Sequence, residues 1–268
     1  MNNMNESRFF LYDLHLRTPA IRISVDAQGA VSAMPADINA SVQDMDKKAR
    51  ESGLKSFGLL QNLSPTGNET NDDLQKFIND VKNFPCYMGL KPVAPGWSKN
   101  FSKELIDQFD YILMAPQYMP NGNKYGDMME VKDFNCYIDD PEDFMKRNME
   151  WYLKILNHED DPLDILGWPL FLPPGIQREY YMLWTQERME QIVEAARKNR
   201  IALEINDLAH TPHAEFILMA KKAGVKFTFG SDTAGDQRSF RLDYCKEVAT
   251  LCNLTEDDFF IPVRKPRK

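Results

Sequence analysis

Asp13, His15 and Arg17 stand at alternate positions in the stretch RFFLYDLHLRT over residues 8–18. On an extended chain alternate side chains share a face, so these three polar groups are expected to point the same way. A carboxylate, an imidazole and a guanidinium gathered on one face serve acid–base chemistry, metal ligation or anion binding. On a packed core face without partners they would be costly. The apolar run Phe9–Tyr12 before them therefore reads either as a buried strand that ends at a site or as an edge strand with a solvated outer face.

Positioning such groups needs elements whose ends converge. After the first strand, residues 21–25 and 30–32 around Gln28 and Gly29 predict a small hairpin, and a helix opens at Ala36 and Asp37 and runs to Arg50, where Gly53 stops it. Residues 56–60 predict a strand, 61–68 a turn-prone loop, and 72–82 a helix with Asn71 as its cap. Further strands are expected at 87–90 and 111–114, with Ser102 capping a short helix to Gln108 between them. Residues 116–134, rich in Pro, Gly, Asn and Met, make too long a connection to be minimal and are expected to fold over one end of the scaffold. A helix over 141–156 then carries Phe144, Met149, Tyr152, Leu153 and Leu156 on one face. Strands at 164–167, 201–205 and 226–229 alternate with helices at 185–198, 214–223 and 241–251. Strand–helix alternation implies parallel pairing with right-handed crossovers, and about seven such units favour one α/β TIM-like barrel over an open doubly wound sheet. No linker divides the chain, so a single domain over 1–268 is expected, with 1–7 and 263–268 as flexible ends.

In such a barrel the functional groups follow the C-terminal ends of the strands. That rule selects His15 and Arg17, Gln61 and Asn62, Lys91, Gln117, Trp168, Glu204 and Asn206, and Ser231 with Asp232. The set is polar and convergent, as a small-ligand pocket requires.

Composition narrows the partners. The chain has 268 residues, 43% hydrophobic and 27% charged, enough for a substantial core. A formal charge of −8 argues against nucleic acid or an anionic membrane, both of which select cationic surfaces. The basic tail from Val263 to Lys268 is expected to be a solvated end. No apolar run is long enough to span a bilayer, and the start MNNMNESR has no secretory apolar core, so a cytoplasmic location is expected. Cys86, Cys136, Cys245 and Cys252 form neither a C-x-x-C pair nor a Cys/His cluster and read as reduced thiols.

The strand-end segments also carry a resemblance. DLHLR (13–17), GLKSFGLLQN (53–62), GLK (89–91), FDYILMAPQ (109–117), DILGWP (164–169), ALEIN (202–206) and GVKFTFGSD (224–232) follow one another like the motifs of the polymerase and histidinol phosphatase (PHP) superfamily. The resemblance spans Asp13 to Asp232 and implies a distorted (β/α)7 barrel. In active members two or three metal ions at the strand ends hydrolyse phosphate esters.

Against that pattern, most ligand positions are changed. Arg17 stands at the second histidine of the first motif, Gln61 and Asn62 at the acidic and histidine ligands of the second, and Lys91 at the bridging glutamate. Gln117 and Trp168 replace two further histidines, and Ala234 replaces the histidine after Asp232. Only His15 and Asp232 remain. A catalytic zinc ion wants at least three protein ligands, and two cations in its place would repel it. No metal cofactor is therefore expected; the alternative is one zinc, manganese or iron ion held by Asp13, His15 and Asp232, with the last two as catalytic acid and base. Arg17 and Lys91 are expected to bind a small phosphate- or carboxylate-bearing molecule, with Asn62, Gln117, Trp168 and Ser231 around it.

Three functions stay open at this point: an anion-binding barrel with an eroded metal site, a hydrolase keeping one ion, and a structural or partner-binding barrel. Each residue also has a plainer role. Arg17 pairs with Asp13 or Asp232, Lys91 with Glu204, Trp168 fills vacated space, and Glu204 and Asn206 satisfy neighbouring loops. His210 and His213 read as polar loop rather than a metal pair, and His158 as part of a charged loop.

Overall fold

Parallel strands covered by helices on one side and packed against each other on the other should be short and buried throughout, and seven segments of this chain behave so. The computed structural model describes residues 11–17, 21–25, 31–35, 38–120, 128–133, 136–157, 161–233 and 240–266. Its barrel strands are β1 (Tyr12–Arg17), β2 (Ser56–Asn62), β3 (Tyr87–Lys91), β4 (Tyr111–Met114), β5 (Ile165–Leu166), β6 (Ala202–Asn206) and β7 (Phe227–Gly230). All neighbours pair in parallel, in chain order, and β1 closes on β7 through Asp13 opposite Phe229. A main helix follows every strand: α1 (Ile38–Glu51), α2 (Asn71–Val81), α3 (Lys103–Ile106), α4 (Pro141–Leu156), α5 (Gln186–Asn199), α6 (Ala214–Lys222) and α7 (Asp243–Leu251), and a further single turn of helix, Tyr180–Leu183, precedes α5. The result is the expected TIM-like barrel, closed with seven strands; the open sheet is excluded.

Local chemistry explains the element ends. Thr70, not Asn71, caps α2: its hydroxyl accepts from Asp73 N–H while the Asp73 carboxylate accepts from Thr70 N–H, a reciprocal box. Asn71 instead accepts from Ser102 N–H at 3.1 Å, bracing the start of α3, which is one turn long and stops at Ile106. Asp140 caps α4 by accepting from the N–H groups of Glu142 and Asp143, with Pro141 as the first helical residue. Phe144, Met149, Tyr152 and Leu156 are buried on that helix as the spacing predicts, while Leu153 is only half-buried. Gly53, at φ 76°, ends α1 in the left-handed region, where a side chain would be strained.

The barrel interior is narrow. Leu14, Leu60, Tyr87, Tyr111, Leu113, Ile165 and Ala202 fill it, separate from the larger apolar layer between strands and helices. Tyr111 lies across it and donates to the Leu14 carbonyl at 2.7 Å. A Cβ on Gly58 or Gly89 would come within 2.1 or 2.4 Å of the Tyr111 ring system, so both glycines make room for it.

Two antiparallel ribbons lie outside the barrel. Ile21–Val25 pairs with Val31–Pro35, as the predicted hairpin, and Tyr118–Pro120 pairs with Met128–Glu130 inside the long connection. Trp151 of α4 donates its indole N–H to the Tyr118 carbonyl at 2.9 Å and ties the second ribbon down. The Gln28–Gly29 turn, the helix start at Ala36 and Asp37, residues 121–127 and 134, His158 and Ala234 lie outside the described residues, as do 1–7 of the expected flexible ends.

The basic tail departs from expectation. Arg264 donates to the Pro85 carbonyl and lies 5.0 Å over the Tyr87 ring, while Lys265 N–H donates to Asp110 at 2.7 Å. These contacts dock the tail beside the starts of β3 and β4. The four cysteines are buried, and none is joined in a disulfide. Among the described residues no helix is long and apolar enough to cross a membrane.

Candidate functional site

β1 brings core into site through an irregularity in its pairing with β2 between Asp13 and Leu16. An extra residue there changes the phase of the strand, so Leu14 packs inside the barrel and Leu16 in the outer layer. The shared face expected for Asp13, His15 and Arg17 is broken accordingly. His15 and Arg17 both reach Asp232; Asp13 does not. Its carboxylate accepts from the Ser231 hydroxyl at 2.5 Å and from the N–H groups of Ser231 at 3.0 Å and His15 at 3.2 Å.

His15 is the hub. It is fully buried, and its Nδ1 lies 2.5 Å from Glu204 Oε1 while its Nε2 lies 2.8 Å from Lys91 Nζ and 3.1 Å from Asp232 Oδ1. Nδ1 thus faces the Glu204 carboxylate, while Nε2 faces both the Lys91 amine and the Asp232 carboxylate, and the tautomer sets which nitrogen donates. Burial pushes the Lys91 amine below its ordinary value, against the pull of Asp232 and Glu204.

Asp232 collects the rest. Arg17 Nε lies 3.3 Å from its Oδ1, Arg17 Nη2 donates to its backbone carbonyl at 3.0 Å, and the Trp168 indole N–H donates to its Oδ2 at 2.9 Å. Burial would push this carboxyl up, but His15, Lys91 and Arg17 outweigh it and hold Asp232 below its usual value. For Asp13 burial wins and pushes it up to about 6, against the hydrogen bonds from Ser231 and His15 and the His15 charge.

Glu204 was underrated by sequence reasoning. Besides His15, its carboxylate accepts from Trp168 N–H at 2.8 Å. Glycines on both neighbouring strands make its space: a Cβ on Gly230 would come within 2.0 Å of Glu204 Oε1, and one on Gly167 within 3.2 Å of Oε2. The available signal was a lone carboxylate inside the apolar run ALEI of a buried strand, which must find partners. Three strand ends on this side of the barrel also place a non-glycine residue in the left-handed region, Trp168, His210 and Asp232, each at φ 51°. Each costs about 1–2 kcal/mol, and such strain persists where the surroundings fix the residue.

No protein-family model matches this chain, and no curated protein matches it. Among solved structures, the Streptococcus suis SuiB bound to precursor peptide SuiA is similar at 10% identity over 86% of this chain and 50% of that one, with a TM-score of 0.36. The lactonase Lmo2620 from Listeria monocytogenes is similar at 11% identity over 91% of this chain and 66% of that one, with a TM-score of 0.32. The chain thus spans about half the length of SuiB.

The other predicted residues spread around this network. Asn62 ends β2 opposite Lys91 and is half-buried, and Gln61 donates to its carbonyl at 3.2 Å. Gln117 is buried where the second ribbon begins, its carbonyl accepting from Val131 N–H. The Ser231 hydroxyl is committed to Asp13 and lies 3.0 Å from Thr233 Oγ1, so its expected place beside a ligand is taken by protein groups. Asn206 accepts from Ala209 N–H and organises the loop after β6, the plainer of its two roles. His210 stacks on Tyr244 with ring centroids 4.9 Å apart, and His213 Nδ1 pairs with the Tyr180 hydroxyl at 3.0 Å, so the two serve an aromatic cluster and not a metal pair.

Asp13, His15 and Asp232 do not suit a divalent ion as they stand. Asp13 is turned to Ser231, both His15 nitrogens face protein groups, and among the described residues no three His, Cys, Asp or Glu side chains converge as ligands. What the arrangement offers instead is a nearly neutral, buried ion network with one member at the surface: the Arg17 side chain, 39% exposed.

Proposed function

We propose that the chain is a divergent barrel of the PHP type in which lysine and arginine stand where metal ions stood, and that it binds a small phosphate- or carboxylate-bearing molecule with little or no hydrolase activity. The observation that carries this reading is Lys91 Nζ at 2.8 Å from His15 Nε2, a cation against the nitrogen that a metal would use. Asp232 beside both supports it, since a carboxylate and an imidazole around one positive centre are what remains of a ligand set. Arg17, half-exposed and tethered through Nε and Nη2, keeps donors free of Asp232 that a phosphate or carboxylate can take in fork geometry.

A structural barrel is the second reading. It is favoured by Trp168, which is 5% exposed and bonded to Asp232, and by the pairing of Arg17 with the same carboxylate. Thermal unfolding with inorganic phosphate and small dicarboxylates separates the two. Anion binding predicts a rise in Tm that Arg17→Ala abolishes; no shift with any such compound leaves the structural barrel. Elemental analysis of protein purified without chelator bears on the metal: stoichiometric zinc, manganese or iron would refute the replacement of metal by side chains.

A further inference from the structure

A cavity of about 520 Å³, lined by none of the ion-network residues, lies between the loops after β5 and β6 and α7. A volume of this order suits a small molecule. Its walls are aromatic to an unusual degree. Tyr180, Tyr181 and His213 stand mutually near-perpendicular, at 79–82° with centroids 5.2–5.4 Å apart, and His210 stacked on Tyr244 forms the facing wall. Tyr181 is 74% exposed at the rim, so its ring is held out without being needed for the core.

Formal charge in this cavity is of one sign: among the described residues Glu247 is its one charged lining residue, and no lysine or arginine lines it. Burial holds His213 below its ordinary value, so its ring is neutral at physiological pH. Thr211, 6% exposed, has a hydroxyl with no hydrogen-bond partner among the described residues. A second cavity of about 480 Å³ shares His210, Tyr244 and Glu247 with the first and adds Asp207 and Asp243 against Arg241, so the acidic excess continues toward Ser231 and Thr233.

From these features we infer that the cavity is a binding site for an organic ammonium ion with an apolar body. Ring faces attract a cation through their quadrupoles, and the Glu247 carboxylate supplies the opposite charge. Glu247 repels an anion there and no described lysine or arginine lines the cavity to hold one, so this site and the Arg17 region favour opposite charges. The inference stands apart from the anion-binding reading, and either can fail without the other.

Calorimetric titration of the full chain with choline, benzyltrimethylammonium, the neutral choline isostere 3,3-dimethyl-1-butanol and methyl glucoside tests it. Binding of the two ammonium ions is expected, with the neutral isostere and the sugar at least about fivefold weaker, and with a comparable loss in Glu247→Gln and Tyr181→Ala. Both positions are exposed, so the variants should fold as the parent does, which circular dichroism checks. Equal binding of 3,3-dimethyl-1-butanol, preference for the sugar, unchanged affinity in both variants, or no binding at millimolar ammonium would each overturn the assignment. Arg17→Ala, which tests the anion site, should leave choline binding unchanged.

Discussion

Three donors hold Asp13, but burial outweighs them and the His15 charge, so its carboxyl is pushed up to about 6 while its ordinary value is 3.8. A folded-state value above the unfolded one means that the native protein binds the proton more tightly. Stability from this group is therefore complete below pH 4 and is lost as pH rises through about 6, by at most about 3 kcal/mol. Asp13→Asn keeps an acceptor for the two N–H groups and removes the titration. Urea unfolding between pH 4 and 7 should show the parent losing stability relative to Asp13→Asn across that window; parallel profiles would contradict it. Trp168 gives a second prediction at this scale. Trp168→Phe retains most of the packing but strips Asp232 Oδ2 of its indole donor, and should cost about 1–3 kcal/mol in the same measurement.

Among the elements, the glycines of the barrel differ in what they do. Gly230 lies on β7 beside Glu204, and Gly230→Ala would drive a methyl group into a carboxylate that His15 and Trp168 already fix. A loss of about 2–4 kcal/mol is expected, with disturbance of the whole network. Gly53 at the end of α1 has open space around it and only its φ of 76° to protect. Gly53→Ala should cost about 1 kcal/mol and leave the site intact. Chemical unfolding of the two variants side by side checks the order, and equal losses would mean that the space beside Glu204 is not limiting. α2, α4 and α5 were readable to within a residue or two because their apolar spacing and caps are local. The α2 cap moved by one residue, since a reciprocal box needs an acid three positions on and Thr70 has Asp73 where Asn71 has Leu74. α3 shrank to one turn, with no side-chain cap at Ser102, although Leu105, Ile106 and Phe109 of this stretch are all buried.

Across the whole molecule, the barrel closes through β1 on β7, and the C-terminal tail adds contacts on its outside. The tail expected to be solvated is docked beside β3 and β4 through Arg264 and Lys265. Removing residues 263–268 should lower the thermal midpoint by about 2–4 °C, on the order of 1 kcal/mol for a chain of this size. An unchanged midpoint would restore the view of a free end. The expected strand-end rule gathered His15, Lys91, Trp168 and Asp232 correctly into one place, since any closed parallel barrel brings those ends together.

What the sequence determined by itself was the alternation of strands and helices, hence a parallel barrel, and the types of side chain at its rim. Both follow from local periodicity and from the rule that polar groups at strand ends face a mouth. Which of those groups bond to which was decided by tertiary structure alone. The break in β1 that parts Asp13 from Arg17, the room that Gly167 and Gly230 leave for Glu204, and the approach of Lys91 to His15 all arise between strands far apart in the chain. Their distances are set by barrel closure, which no spacing along the sequence encodes.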